Sequence, residues 1–128
     1  MVRPKAKELT ERELEVMQVF WDRGESTAAD VREALAELGR DLAYTTVATL
    51  VRILLEKEFL AQTTTGRPFR FVPARTYEEV SGSMLGDMVQ KVFAGSRMTL
   101  LMRLFEQKKL TPAEQIRLRE ILESTKKK

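Results

Sequence analysis

The chain contains no cysteine and no histidine. Disulfides, thiolate and imidazole metal sites, Cys or His nucleophiles, and the usual neutral-pH general base are therefore excluded. Only carboxylates remain as metal ligands. No metal site, cofactor or catalytic constellation is expected, and an enzyme is the least expected class. No apolar run approaches the roughly 18 residues that a membrane-spanning helix needs, so no membrane insertion is expected. The first residues, MVRPKAK, lack the apolar core of a signal peptide, and a cytoplasmic location is the default.

What is present is a globular balance. Of 128 residues, 43% are hydrophobic and 32% charged, enough for one domain or a small domain with an appendage. The net charge of +3 is unevenly spread. Residues 8–37 carry three arginines and nine acids. Residues 40–75 reverse the sign, with Arg40, Arg52, Lys57, Arg67, Arg70 and Arg75 against Asp41, Glu56 and Glu58. A localised basic stretch is what a polyanion-binding surface requires.

Four helix starts carry the same signature, a threonine followed three residues later by an acid: Thr10 and Glu13, Thr27 and Asp30, Thr76 and Glu79, Thr111 and Glu114. The hydroxyl accepts from an orphan N–H, and the acid reaches back to the cap's own N–H. Pro112 suits the first helical position after Thr111. Leu14, Met17, Phe20 and Trp21 follow the first start, with Gly24 as its stop. Ala28, Val31, Leu35 and Leu38 follow the second, with Gly39 as its stop. A third helical pattern, Val47, Leu50, Val51, Leu54 and Leu55, has only Asp41 ahead of it.

The period then changes. Residues 59–64 and 69–72 are β-rich and flank the turn segment TGRP, residues 65–68. This predicts a short hairpin with Phe69 and Phe71 on one face, Arg70 and Val72 on the other, and Pro73 at its end. Helical spacing resumes after Thr76 with Val80, Met84, Met88, Val92 and Phe93, and Gly95 interrupts it. Leu100, Leu101, Leu104 and Phe105 follow, then Leu118, Ile121 and Leu122. These short helices cannot enclose a core alone, and their apolar stripes read as interface or core. The tail, Lys126 to Lys128, is expected to fray.

The expected fold is mostly α with a small β-hairpin: a winged helix-turn-helix DNA-binding domain over 1–75 and a helical dimerisation domain over 76–128. In that arrangement the third helix enters the major groove and the hairpin touches the backbone. The face opposite Val47, Leu50, Val51 and Leu54 presents Tyr44, Thr45, Thr46, Ala48, Thr49 and Arg52. Arg67 and Arg70 sit on the wing. Winged helices also serve as protein-binding modules, so this pattern alone leaves that reading open. A ligand-responsive regulator is a further alternative, for which residues 80–105 offer Ser81, Ser83, Gln90 and Thr99 as polar groups. Trp21 lies on an apolar stripe and reads as core. Glu11, Glu13 and Glu15 read as the outer face of a helix start, where negative charge suits the macrodipole.

The chain resembles the penicillinase-repressor family, the BlaI/MecI-type regulators. The resemblance rests on LTERELEVM from Leu9, the pair Phe20-Trp21, AYTTVATL from Ala43, Lys57, and the Gly66-Arg67 wing ending at Pro73. It continues through KVFAGS from Lys91 and through Leu110, Thr111, Glu114, Leu118, Arg119, Ile121 and Leu122. It implies a homodimeric repressor of inverted-repeat operators in double-stranded DNA, near promoters of β-lactamase or related genes. Residues 44–52 would be its recognition helix, and residues 76–128 would interlock with the partner. It also implies release by a sensor-linked protease at an Asn-Phe bond. Here the aligned pair is Arg103-Leu104. Glu58 stands where the family carries glycine after the lysine, and Ile53 where arginine is common.

Overall fold

A computed structural model describes residues 8–126. The basic N-terminal segment 1–7 and the last two lysines of the tail lie outside the described residues. The element order is α1 (Glu11–Arg23), β1 (Ser26–Thr27), α2 (Ala28–Glu37), α3 (Tyr44–Glu56), β2 (Leu60–Gln62), β3 (Arg70–Pro73), α4 (Tyr77–Phe93), α5 (Arg97–Gln107) and α6 (Pro112–Lys126). The chain divides into two compact units, Met1–Gly82 and Ser83–Lys128, each described by itself.

All four threonine–acid signatures close as reciprocal capping pairs. Glu13 N–H donates to the Thr10 hydroxyl and Thr10 N–H donates to the Glu13 carboxylate. The same exchange holds for Thr27 with Asp30, Thr76 with Glu79, and Thr111 with Glu114. Two orphan donors are thereby satisfied at each helix start. Gly24 stops α1 at φ 79°, a conformation that costs a side-chain-bearing residue, and its N–H donates to the Phe20 carbonyl. The α5 start was not read from the sequence: Ser96 caps it by accepting from Thr99 N–H.

The first unit is built on one apolar core. Val16, Met17 and Phe20 of α1, Val31 and Leu35 of α2, and Val47, Val51 and Leu54 of α3 are buried together. Phe59, Leu60 and Phe71 close it from the sheet side. Each such side chain contributes about 1.5–3 kcal/mol by leaving water. Leu50 is half-buried rather than buried.

The expected hairpin is one half of a three-stranded antiparallel sheet, ordered β1-β3-β2. Ser26 pairs with Phe71 and Thr27 with Arg70, while Leu60, Ala61 and Gln62 pair with Pro73, Val72 and Phe71. Strand β1 escaped the sequence reading because two residues show no alternation. Phe69 departs from expectation: it lies before the strand and is 37% exposed, so Phe71 alone serves the core.

Glu13 also departs from expectation. It is buried, not on the outer face, and Lys57 Nζ lies 2.8 Å from its Oε1. The same ammonium donates to the Glu8 carbonyl at 2.8 Å. The pair ties the start of α1 to the end of α3, and the capping and ion-pair bonds together compensate a buried charge. Trp21 packs on the core as expected, and its indole N–H donates to the Arg75 carbonyl at 3.0 Å. Its ring meets Tyr77 edge-on at 5.3 Å.

Val80 was assigned to dimerisation from its place on the α4 stripe. It is 6% exposed and belongs to the core of the first unit. The division consequently falls at 82/83, inside α4, rather than at 75/76. The first turns of α4 are held to the first unit by Tyr77 and Val80, which a helix-start signature at Thr76 could not disclose.

The second unit holds the rest of α4 with α5 and α6. Ala94 and Gly95 both take positive φ, 51° and 84°, to end α4. The positive φ of Gly95 is what favours glycine there; a Cβ would meet only the flexible end of Gln90, its side-chain oxygen, at 2.8 Å. No residue of 83–126 is buried.

Candidate nucleic-acid interface

Helix α3 is anchored by its inner face and open on the other. Val47, Val51 and Leu54 are buried, whereas Tyr44, Thr45, Thr49 and Arg52 are exposed and Thr46 and Ala48 half-buried. Its first residue follows Ala43, which supplies no side-chain cap. The N–H groups of the first turn are thus left without a side-chain partner there, in the orientation that favours an anion.

The wing is shaped by short polar bonds. Thr63 N–H donates to the Arg70 carbonyl at 2.8 Å, and Arg70 N–H donates to the Thr64 hydroxyl at 3.0 Å. Gln62 donates to the Thr64 carbonyl, and the Thr63 hydroxyl donates to Glu25 at 3.1 Å. The Arg67–Pro68 peptide is cis. The Arg67 guanidinium lies 5.6 Å from the centre of the Phe69 ring.

Between the wing, the start of α2 and the open face of α3 lies a cleft of about 720 Å³. Of the eight residues expected at the interface, Tyr44, Ala48, Arg52 and Arg67 line it. Thr45, Thr46 and Thr49 lie outside its lining, elsewhere on α3. Arg70, also outside it, is close enough to Asp30 to help lower that carboxyl's pKa. The larger cause is the backbone N–H of Thr27, opposed by partial desolvation and aided by the Thr27 hydroxyl. Ala28, Gln62 and Phe69 also line the cleft and were not foreseen. Ala28 meets the cleft because β1 docks the start of α2 beside β3, a long-range pairing with no local signal, whereas Gln62 and Phe69 come from the hairpin itself.

Among the described residues lining the cleft, Arg52 and Arg67 are the charged ones. Arg52 is partly engaged by Glu56 at 3.0 Å on the same helix face. Arg67 and Arg70 have no acidic partner within ion-pair distance among the described residues. Among the described residues no cluster of acids is placed to hold a metal, and no helix is long and apolar enough to cross a membrane.

Three packed helices followed by a β-hairpin, with a short strand completing the sheet, define a winged helix-turn-helix protein. The structure is similar to the solution structure of the DNA binding domain of the repressor BlaI. The TM-score is 0.51 at 25% identity, over 60% of this chain and 93% of that one. The penicillinase repressor family model matches residues 9–124. The transcriptional regulator BlaI of Mycobacterium tuberculosis (strain CDC 1551 / Oshkosh) is 35% identical over 115 residues, 88% of this chain and 83% of that protein. The methicillin resistance regulatory protein MecI of Mammaliicoccus sciuri is 25% identical over 118 residues, 92% of this chain and 95% of that one. The chain belongs to the penicillinase repressor family.

Proposed function

We propose that this protein is a sequence-specific, DNA-binding transcriptional repressor that acts without catalysis in the cytoplasm. The observation carrying this reading is the open face of α3, held by a buried inner face beside a wing that carries two exposed arginines, Arg67 and Arg70. Family membership points the same way. Arg52, Arg67 and Arg70 supply charge to phosphates, which positions the protein without selecting sequence. Tyr44, Thr45, Thr46 and Thr49 are the base readers, and Ala48 permits close approach. Threonine hydroxyls bond base edges, and their methyls meet thymine methyls.

The repressor acts as a homodimer. A unit with no fully buried residue gains little hydrophobic stabilisation by itself. Met84, Met88, Val92, Leu101, Leu104, Phe105, Ile121 and Leu122 are all exposed on a single chain, and Phe93, Leu100 and Leu118 are half-buried. A second copy covers these faces. Two recognition helices then reach successive major grooves about 34 Å apart, which matches an inverted-repeat operator. Bound over a promoter, the dimer excludes polymerase.

Release by a sensor-linked protease is not part of the proposal. Arg103 and Leu104 lie within α5, so scission there requires local unwinding of the helix. It also requires a protease that accepts an Arg-Leu pair.

Selection from a random double-stranded DNA library by the full chain at near-physiological salt tests the reading. An inverted repeat is expected, and its half-sites identify the regulated promoters. Recovery of no motif by folded protein would overturn it in favour of a winged-helix module that binds protein.

A further inference from the structure

We propose that the cleft between α3 and the wing is a site for a small aromatic carboxylate, and that its occupancy opposes DNA binding. The second half of this statement rests on the DNA-binding reading above; the first half does not. At about 720 Å³ the cleft falls within the usual range for small-molecule sites. Ala28, Ala48, Val51, Leu55 and Phe71 supply apolar walls, and Val51 and Phe71 are themselves buried. These groups belong to the core of the first unit or pack against it, and where they border the cleft they offer a phosphodiester no hydrogen bond. That apolar floor suits the body of a ring.

The polar groups fix the charge of the occupant. Arg52 and Arg67 are the charged residues among the described lining, and both are cations. Arg52 already holds Glu56, whereas Arg67, beside the Phe69 ring, meets no acid within ion-pair distance among the described residues. A carboxylate therefore takes Arg67 as its main partner and Arg52 as its second, with Tyr44 and Gln62 also on the wall. A cationic ligand meets repulsion, and a neutral one leaves Arg67 unanswered. The polar groups of residues 80–105, the other place where a ligand was sought, lie in no comparable setting: Ser83 and Gln90 are exposed, and Thr99 is taken up by the α5 cap.

The antagonism follows from shared groups. Arg67 and Arg52 are the guanidiniums assigned to phosphates, and one guanidinium cannot serve a ligand carboxylate and a phosphate equally well. An occupant also stands between α3 and the wing, the two elements that must meet one duplex together. By linkage, whatever factor the ligand takes from DNA affinity, DNA takes from ligand affinity.

The test is calorimetric titration of the full chain, without DNA, using 2-naphthoate and the neutral 2-naphthamide as probes. The acid is expected to bind about tenfold more tightly than the amide, the worth of one charge-assisted bond. Arg67→Gln, at an exposed position, should bring the acid down to the amide's affinity. Ala48→Leu, with its fold verified by circular dichroism, should abolish binding of both by filling the cleft. Absence of saturable binding, equal affinities for acid and amide, or unchanged binding by Ala48→Leu would overturn the site. Saturating 2-naphthoate should then weaken binding to a DNA duplex severalfold, and an unchanged DNA affinity would overturn the antagonism. Because the first titration contains no DNA, a failure of the DNA reading leaves its result intact, and an empty cleft leaves the operator selection intact.

Discussion

The two units of this chain use the same raw material with opposite results. Both consist of short helices with apolar residues at helical spacing, and both begin helices with threonine–acid caps. In Met1–Gly82 those residues interlock: Phe20, Met17, Leu35 and Leu54 are almost completely shielded from water. In Ser83–Lys128 the equivalent stripes stay open, with Val92 68% exposed and Met98 64% exposed. Periodicity states that a helix has an apolar face. It does not state whether the cover comes from the same chain. The sheet makes the difference in the first unit, because β1, β2 and β3 bring residues distant in sequence over the helices. Among its described residues the second unit has no such closing element, and none of them is buried.

The contrast can be broken from either side. The largest effect is expected at Phe20→Ala, which opens a cavity in the first unit and should cost about 3–5 kcal/mol in denaturant unfolding. That loss should not depend on protein concentration if the first unit is self-sufficient. Next comes Leu104→Asp with Phe105→Asp, which places charge on the open stripe. Sedimentation equilibrium should show the dimer weakened on the order of a hundredfold or more, about 3 kcal/mol, while the first unit keeps its stability. Equal losses in both units would contradict the division.

Smaller effects sharpen the picture within the first unit. Arg67→Ala should weaken binding to all DNA sequences and reduce the slope of log affinity against log salt by about 0.9, one phosphate contact. An unchanged slope would remove the wing from the interface. Glu58 takes φ 69° at the turn from α3 into β2, a backbone conformation that favours glycine. Glu58→Gly should therefore stabilise the protein by about 1 kcal/mol, read as a rise in melting temperature. The smallest effect concerns acid. Asp30 has its pKa lowered below 3.8 on folding, so its contribution is complete above that value. It is lost as pH falls through the depressed folded value. Asp30→Asn should flatten stability against pH in that window and leave it unaltered near neutrality apart from a constant offset.

Much of this was legible from the chain because the signals are local. The capping pairs, the Gly24 stop and the change of period after Leu55 each depend on residues within a few positions of one another. The α3 face was legible for the same reason, since Val47, Val51 and Leu54 define an inside and so an outside. Strand β1 was hidden because its identity lies in its pairing with Phe71 and Arg70, more than forty residues away. The burial of Glu13 was hidden because its partner Lys57 arrives from α3. Val80 was read with the dimer stripe because a continuous helix shows one stripe, although its first turns belong to the core of the first unit. The cleft wall contributed by Ala28 follows from the same long-range docking.

Hydrogen exchange on the full chain across a wide range of protein concentrations tests the account most directly. Amides in α1, α2 and α3 should be protected at every concentration, while those of α5 and α6 should gain protection only as the dimer forms. Protection of α5 and α6 equal to that of α1 at the lowest concentration would contradict a second unit that is completed by its partner.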